Sequence, residues 1–202
     1  MTLRVGIYVF PEVEVLDFAG PYEVFTTASR VFGRRNPGQA APFEVFTVAA
    51  KRDPIKARAG LPILPEFDFR HAPPIDVLVV PGGVVSAELD QPTVIEWIAR
   101  DAAQRVLTAS VCTGAFLLAA AGLLDGASVT THWEDIDDLS RRFPHLKVVA
   151  DQRWIDNGRT VTSGGISAGI DMSLHLVGRL ADKDLAVATA RQMDYPWQER
   201  DG

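Results

Sequence analysis

Cysteine is nearly absent from this sequence. Cys112 stands alone in 202 residues, so no disulfide can close within the chain. A chain that manages without disulfides fits a reducing compartment. Long hydrophobic runs are also missing. The longest candidate, residues 115–124, falls well short of the ~20 apolar residues that span a bilayer. Only Arg4 precedes the first short apolar run, which reads as a strand and not as a secretory signal. These absences predict a soluble, cytoplasmic protein with no membrane contact. An excess of basic residues is lacking too: 20 Lys and Arg stand against 26 Asp and Glu, a net charge of −6. A nucleic-acid footprint needs clustered Lys and Arg, so none of any breadth is expected. The Gly-Lys-Ser/Thr of a phosphate-binding loop and the dinucleotide fingerprint are both missing. No histidine has metal-ligand spacing with Cys112, so no metal is expected.

What remains is ordinary globular material, 47% apolar and 23% charged, in a length that suits one domain over residues 1–202. Short β-branched runs alternate with helical patterns, the signature of βαβ units on a parallel sheet. Strands are expected at residues 5–10, 43–49, 76–80, 106–110 and 128–131. A hairpin is expected over 55–64, inside a segment (51–74) that holds five prolines. Residues 148–156 and 160–163 flank Asn157-Gly158, a strong hairpin signal. Gly20-Pro21 opens a helix that runs to Phe32. Further helices are expected at 93–104, 114–121, 134–142, 166–180 and 183–192. The expected architecture is an α/β sandwich with helices on both faces of a mostly parallel sheet.

Several stretches can carry chemistry. In Ser110-Val111-Cys112-Thr113-Gly114 a strand runs straight into a helix with Cys112 at the joint. This resembles the nucleophile elbow of hydrolases, with Cys in place of Ser. The helix N-terminus would favour thiolate and lower the thiol's pKa. From the residues alone, a buried inert cysteine fits equally well. Pro81-Gly82-Gly83 ends a central strand, where ligands bind open α/β sheets. The N–H groups of Gly82 and Gly83 would hold developing negative charge, or the pair is a plain turn. Asp17 follows the first strand and either caps the next helix or points at the sulfur, sharing one proton with it. His132 ends a strand, either as a structural residue or beside the substrate, and Trp133 offers a flat apolar wall. The glycine-rich run from Ser163 to Asp171 opens a helix and permits close packing.

Taken together, these motifs resemble the ThiJ/PfpI superfamily, whose fold is shared with class I glutamine amidotransferases. The likeness runs from Phe10-Pro11 to about Tyr195. It is carried by Ser110-Val111-Cys112-Thr113-Gly114, Gly122-Leu123-Leu124 and Thr130-Thr131-His132-Trp133. Two branches are most similar: isonitrile hydratases, and the sensor domains of AraC-type regulators. The resemblance implies a flavodoxin-like sandwich, a homodimer, no cofactor, Cys112 as nucleophile and Asp17 as partner acid. Thr113 stands where isonitrile hydratases carry Thr and where the protease-like branch carries His. Gly83 would face the pocket and Ile166 would border the turn near Cys112.

The implied activity is hydration of a small-molecule isonitrile to an N-formamide, with Cys112, Asp17 and Thr113 catalytic, and Gly82, Gly83, His132, Trp133 and Ile166 against the substrate. A non-catalytic metabolite sensor is the first alternative. Chemistry on reactive aldehydes, or redox sensing through Cys112, is the second, since all need the same thiolate.

Overall fold

The computed structural model describes residues 1–199, so the last three residues of the expected domain, 200–202, lie outside the described residues. The chain opens with β1 (Leu3–Tyr8), α1 (Val15–Arg35) and β2 (Phe43–Ala49). The proline-rich stretch holds the small strands β3 (Ile55–Lys56), β4 (Pro62–Ile63) and β5 (Phe67–Asp68). Then come β6 (Val77–Val80), α2 (Ser86–Leu89), α3 (Pro92–Ala99), β7 (Leu107–Val111) and α4 (Gly114–Ala120). The chain continues through β8 (Ser128–Val129), α5 (Ile136–Arg142), β9 (Lys147–Val148), β10 (Trp154–Asp156), β11 (Thr160–Ser163), α6 (Ser167–Leu180) and α7 (Lys183–Gln192).

Seven strands form one sheet in the order β10-β11-β7-β6-β1-β2-β5. Every pairing is parallel except β10 with β11. Strand side chains alternate between faces, and here both faces are buried. Val5, Ile7, Val77, Val79, Leu107 and Ala109 enter the core shared with α1, α6 and α7. Tyr8, Leu78 and Val80 enter the core shared with α3 and α4. The chain leaves β1 for β2 on one side and returns through β6 on the other. The carboxyl ends of β1 and β6 therefore straddle a topological switch point, where open α/β sheets bind ligands.

The α/β sandwich expected from sequence is present, with shifted boundaries. Helix α1 begins at Val15, capped by the Glu14 side chain, which accepts from the Val15 N–H. Gly20-Pro21 therefore lies inside the helix and does not open it. Pro21 withholds the donor that residue 21 would give the Asp17 carbonyl. Gly20 in turn lets α6 approach, since a Cβ there would sit 3.0 Å from Ile170. Asp17 is consequently not the cap; it lies in the first turn. Helix α3 stops at Ala99 because the buried Arg105 guanidinium donates to the carbonyls of Ile98 and Arg100 at 2.7 Å each. The expected 148–156 strand is split. Asp151 takes a left-handed φ of 57°, β9 pairs with β8, and only β10 joins the Asn157-Gly158 hairpin.

Candidate active site

Cys112 directly follows β7, with a single residue, Thr113, between it and α4. Its φ of 55° is left-handed, a conformation that costs a non-glycine residue about 1–3 kcal/mol. Neighbouring backbone holds it there. The Cys112 N–H is shared by the carbonyls of Ser163 and Gly164 at 3.1 and 3.2 Å. Its carbonyl accepts from the Thr131 hydroxyl at 2.8 Å. Gly114 is essential to this turn, since a Cβ there would lie 2.1 Å from the Val80 carbonyl oxygen.

Asp17 is fully buried and ties together loops from across the sheet. Its Oδ2 accepts the Gly82 N–H at 3.1 Å, its Oδ1 accepts the Ile166 N–H at 3.0 Å, and the Cys112 thiol lies close enough for the two groups to act on each other's ionisation. Four loops, after β1, β6, β7 and β11, thus meet at one carboxyl group. Burial raises Asp17 to about 6 from its ordinary 3.8, against the lowering effect of the two N–H donors. Burial pushes the Cys112 thiol up as well, with the charges of Asp17 and then Asp135 adding to the rise, against hydrogen bonds from Thr113. The depressed thiol expected from the helix N-terminus is therefore not what the fold produces. Helix α4 spans only seven residues, and desolvation beside a carboxylate outweighs its N-terminal field. The resting pair keeps its proton on sulfur once Asp17 has ionised.

Thr113 is bound to the loop after β6. Its hydroxyl donates to the Gly83 carbonyl and accepts the Gly83 N–H, each at 2.9 Å. The N–H groups of Gly82 and Gly83 are thus committed to Asp17 and Thr113, which corrects the expectation that they stand free for an anion. Gly82 is instead a residue of close approach. A Cβ there would meet Thr113 N and Oγ1 at 2.6 Å and Cys112 Cβ at 2.8 Å.

Ile166 reaches Asp17 through its N–H and holds φ 54°, ψ −102°. Such a backbone is an outlier for a β-branched residue. The His132 ring faces the neighbouring Gly165, where a Cβ would lie 2.3 Å from Cδ2. Its Nδ1 accepts from the Glu134 N–H at 3.4 Å. Because His132 turns inward as this cap, Trp133 turns outward. Trp133 is 75% exposed, so the flat apolar wall expected of it lies open to solvent. It lines a depression of about 620 Å³ with Thr131, Glu134 and Gly165. A larger depression, about 780 Å³, lies at the opposite end of the sheet beside Leu3 and Leu180. No group of three or more His, Cys, Asp or Glu among the described residues is placed to hold a metal ion.

Sequence reasoning passed over Thr131, the Ser163 and Gly164 carbonyls, Glu14 and Asp135. Thr131 lay in plain view within Thr130-Thr131-His132-Trp133. The carbonyls carry no side-chain signal, and Asp135 looked like the polar face of a helix.

The DJ-1/PfpI family model matches residues 3–179. The isonitrile hydratase of Pseudomonas putida is 35% identical over 96% of this chain and 79% of its own length. The HTH-type transcriptional regulator GbdR of Pseudomonas aeruginosa is 29% identical over 95% of this chain, which spans 50% of that regulator. The crystal structure of a ThiJ/PfpI family protein from Pseudomonas syringae superposes with a TM-score of 0.84 and 27% identity, covering 98% of this chain and 77% of that one.

Proposed function

This chain belongs to the DJ-1/PfpI family, and from that premise we propose that it is an isonitrile hydratase, adding water to R–N≡C to give an N-formamide. The observation that carries this reading is the buried pair of Cys112 and Asp17, a soft nucleophile beside a carboxyl group whose pKa is raised to about 6. A carboxyl poised near neutrality both takes and gives protons. The likeness to the Pseudomonas putida hydratase supplies the substrate class.

In this mechanism the Sγ proton passes to ionised Asp17 as the sulfur attacks the terminal isonitrile carbon. Asp17 then protonates that carbon, leaving a thioimidate, R–N=CH–S–Cys112. Water adds to the same carbon, and its first proton travels through Asp17 to the nitrogen. As the C–S bond breaks and the carbonyl forms, the second proton travels through Asp17 back to sulfur, and the N-formamide departs. Thr113 holds the sulfur and the Gly82–Gly83 loop in register. Gly83, Ile166, His132 and Trp133 border the substituent. The working form is read as a cytoplasmic homodimer acting on a small molecule without a cofactor.

Following isonitrile absorbance in the ultraviolet tests the reading. Wild type is expected to turn over a simple aromatic isonitrile, and Cys112→Ala, folded by circular dichroism, is expected to be inert. Full activity in Cys112→Ala overturns the mechanism. The likeness to GbdR favours a second reading, a sensor that binds a metabolite in the same crevice. Saturable binding of a small metabolite to wild type, without turnover, would mark that case.

A further inference from the structure

Negative charge gathers beside Cys112 from more than one element. Asp17 lies next to the thiol and its charge weighs on it. Glu14 lies one helical turn before it, at the start of α1, with its N–H on the Gly82 carbonyl at 2.8 Å. Asp135, one third exposed, follows the segment whose Thr131 hydroxyl donates to the Cys112 carbonyl, with Oδ2 3.6 Å from His132 Nδ1. His132 in turn lies against Gly165, beside the Ile166 that holds Asp17. Glu134 is 3.8 Å from the same ring nitrogen, so a single imidazole faces two carboxylates. On the β11–α6 side Arg153 is committed to the buried Asp171. The charges that weigh on the sulfur, Asp17 and Asp135, are both negative.

An entering anion therefore meets like charge beside a buried thiol, where Coulomb repulsion is screened less than in open solvent. A neutral or cationic solute does not. We propose that Asp135 is a specificity-determining residue that rejects anionic substrates, so that the site takes isonitriles with neutral or cationic substituents and excludes those bearing a carboxylate. The substrate half of this inference rests on the hydratase reading; the charge selection at Cys112 does not.

Alkylation tests the charge selection directly, because Cys112 is the only cysteine. Sγ displaces iodide from iodoacetamide, which is neutral, or from iodoacetate, which is an anion of nearly the same shape. The rate ratio on the protein is divided by the ratio on free cysteine. At low salt this normalised preference for iodoacetamide is expected to be on the order of tenfold and to shrink as salt is added. Asp135→Asn is expected to cut it severalfold, and Asp135→Glu, which keeps the charge, to retain it. A normalised ratio of one, or a ratio indifferent to Asp135→Asn in a folded variant, overturns the inference. In a parallel arm, a neutral aryl isonitrile is compared with its carboxylate-bearing counterpart. Equal kcat/KM for the two overturns the substrate selection. Failure of every isonitrile to react overturns the hydratase reading alone and leaves the alkylation result to decide the charge selection.

Discussion

The Gly82 N–H donates to Asp17 Oδ2 across 3.1 Å, joining the loop after β6 to the first turn of α1 between residues 65 apart in the chain. The same glycine lies against Cys112 and Thr113 so closely that no side chain fits. The β6 loop therefore both tempers the burial-driven rise in the pKa of Asp17 and limits the space beside the sulfur.

Gly82→Ala is accordingly expected to lower kcat/KM by more than tenfold. It should also destabilise the protein by about 1–3 kcal/mol, the usual cost of forcing a methyl group into packed surroundings. Steady-state kinetics beside urea denaturation check both effects. Wild-type activity in this variant would show that the loop is not held as described.

Thr113 bonds twice to Gly83 through one hydroxyl. Thr113→Ser keeps that hydroxyl and is expected to stay within a few fold of wild type. Thr113→Val removes it, leaving the Gly83 N–H without its acceptor, at a cost of about 1–3 kcal/mol and a fall in kcat of tenfold or more. Equal rates for the two variants would remove Thr113 from any positioning role.

Ionisation of Asp17 shapes the pH response of rate and stability alike. Activity needs the carboxylate to receive the Sγ proton, so kcat/KM is expected to rise with an acid limb near pH 6. Stability runs the other way. A pKa raised on folding from 3.8 to about 6 means that the native state holds this proton more tightly. The contribution is full below pH 4 and is lost as pH rises through 6, an interval corresponding to about 3 kcal/mol. The stability difference between wild type and Asp17→Asn, followed by urea denaturation from pH 4 to 7.5, should shift toward the variant as pH rises. A flat difference would mean that Asp17 ionises as an exposed carboxyl does.

A control far from the site comes from Gly33 in α1, which is exposed and where an added Cβ would meet nothing within 4 Å. Gly33→Ala is expected to gain about 0.5–1 kcal/mol by helix propensity alone, with turnover unchanged. A loss of stability there would point to a contact along α1 that the fold does not show.

Much of this protein was legible in one dimension. The apolar runs at Val77–Val80 and Leu107–Val111 announce central parallel strands because both their faces must be buried. A cysteine placed between such a run and a helix of small residues announces the elbow, since Gly114 alone admits the turn. Asn157-Gly158 announces the one antiparallel pair of the seven-stranded sheet among the described residues. Gly20-Pro21 misled, because a local breaker signal yielded to the burial of α1 against α6.

The set of elements and the residue types able to do chemistry are readable along the chain, because periodicity and turn preference act over a few neighbours. How those groups behave together comes from the folded arrangement. Asp17 and Cys112 have raised pKa values because distant loops bury them side by side. The Gly82 and Gly83 N–H groups are occupied because β6 ends against β1 and β7. Trp133 faces outward because His132 turned in toward Gly165. Burial, charge proximity and hydrogen-bond pairing are sums over neighbours in space, and a linear reading supplies those neighbours only once the chain has folded.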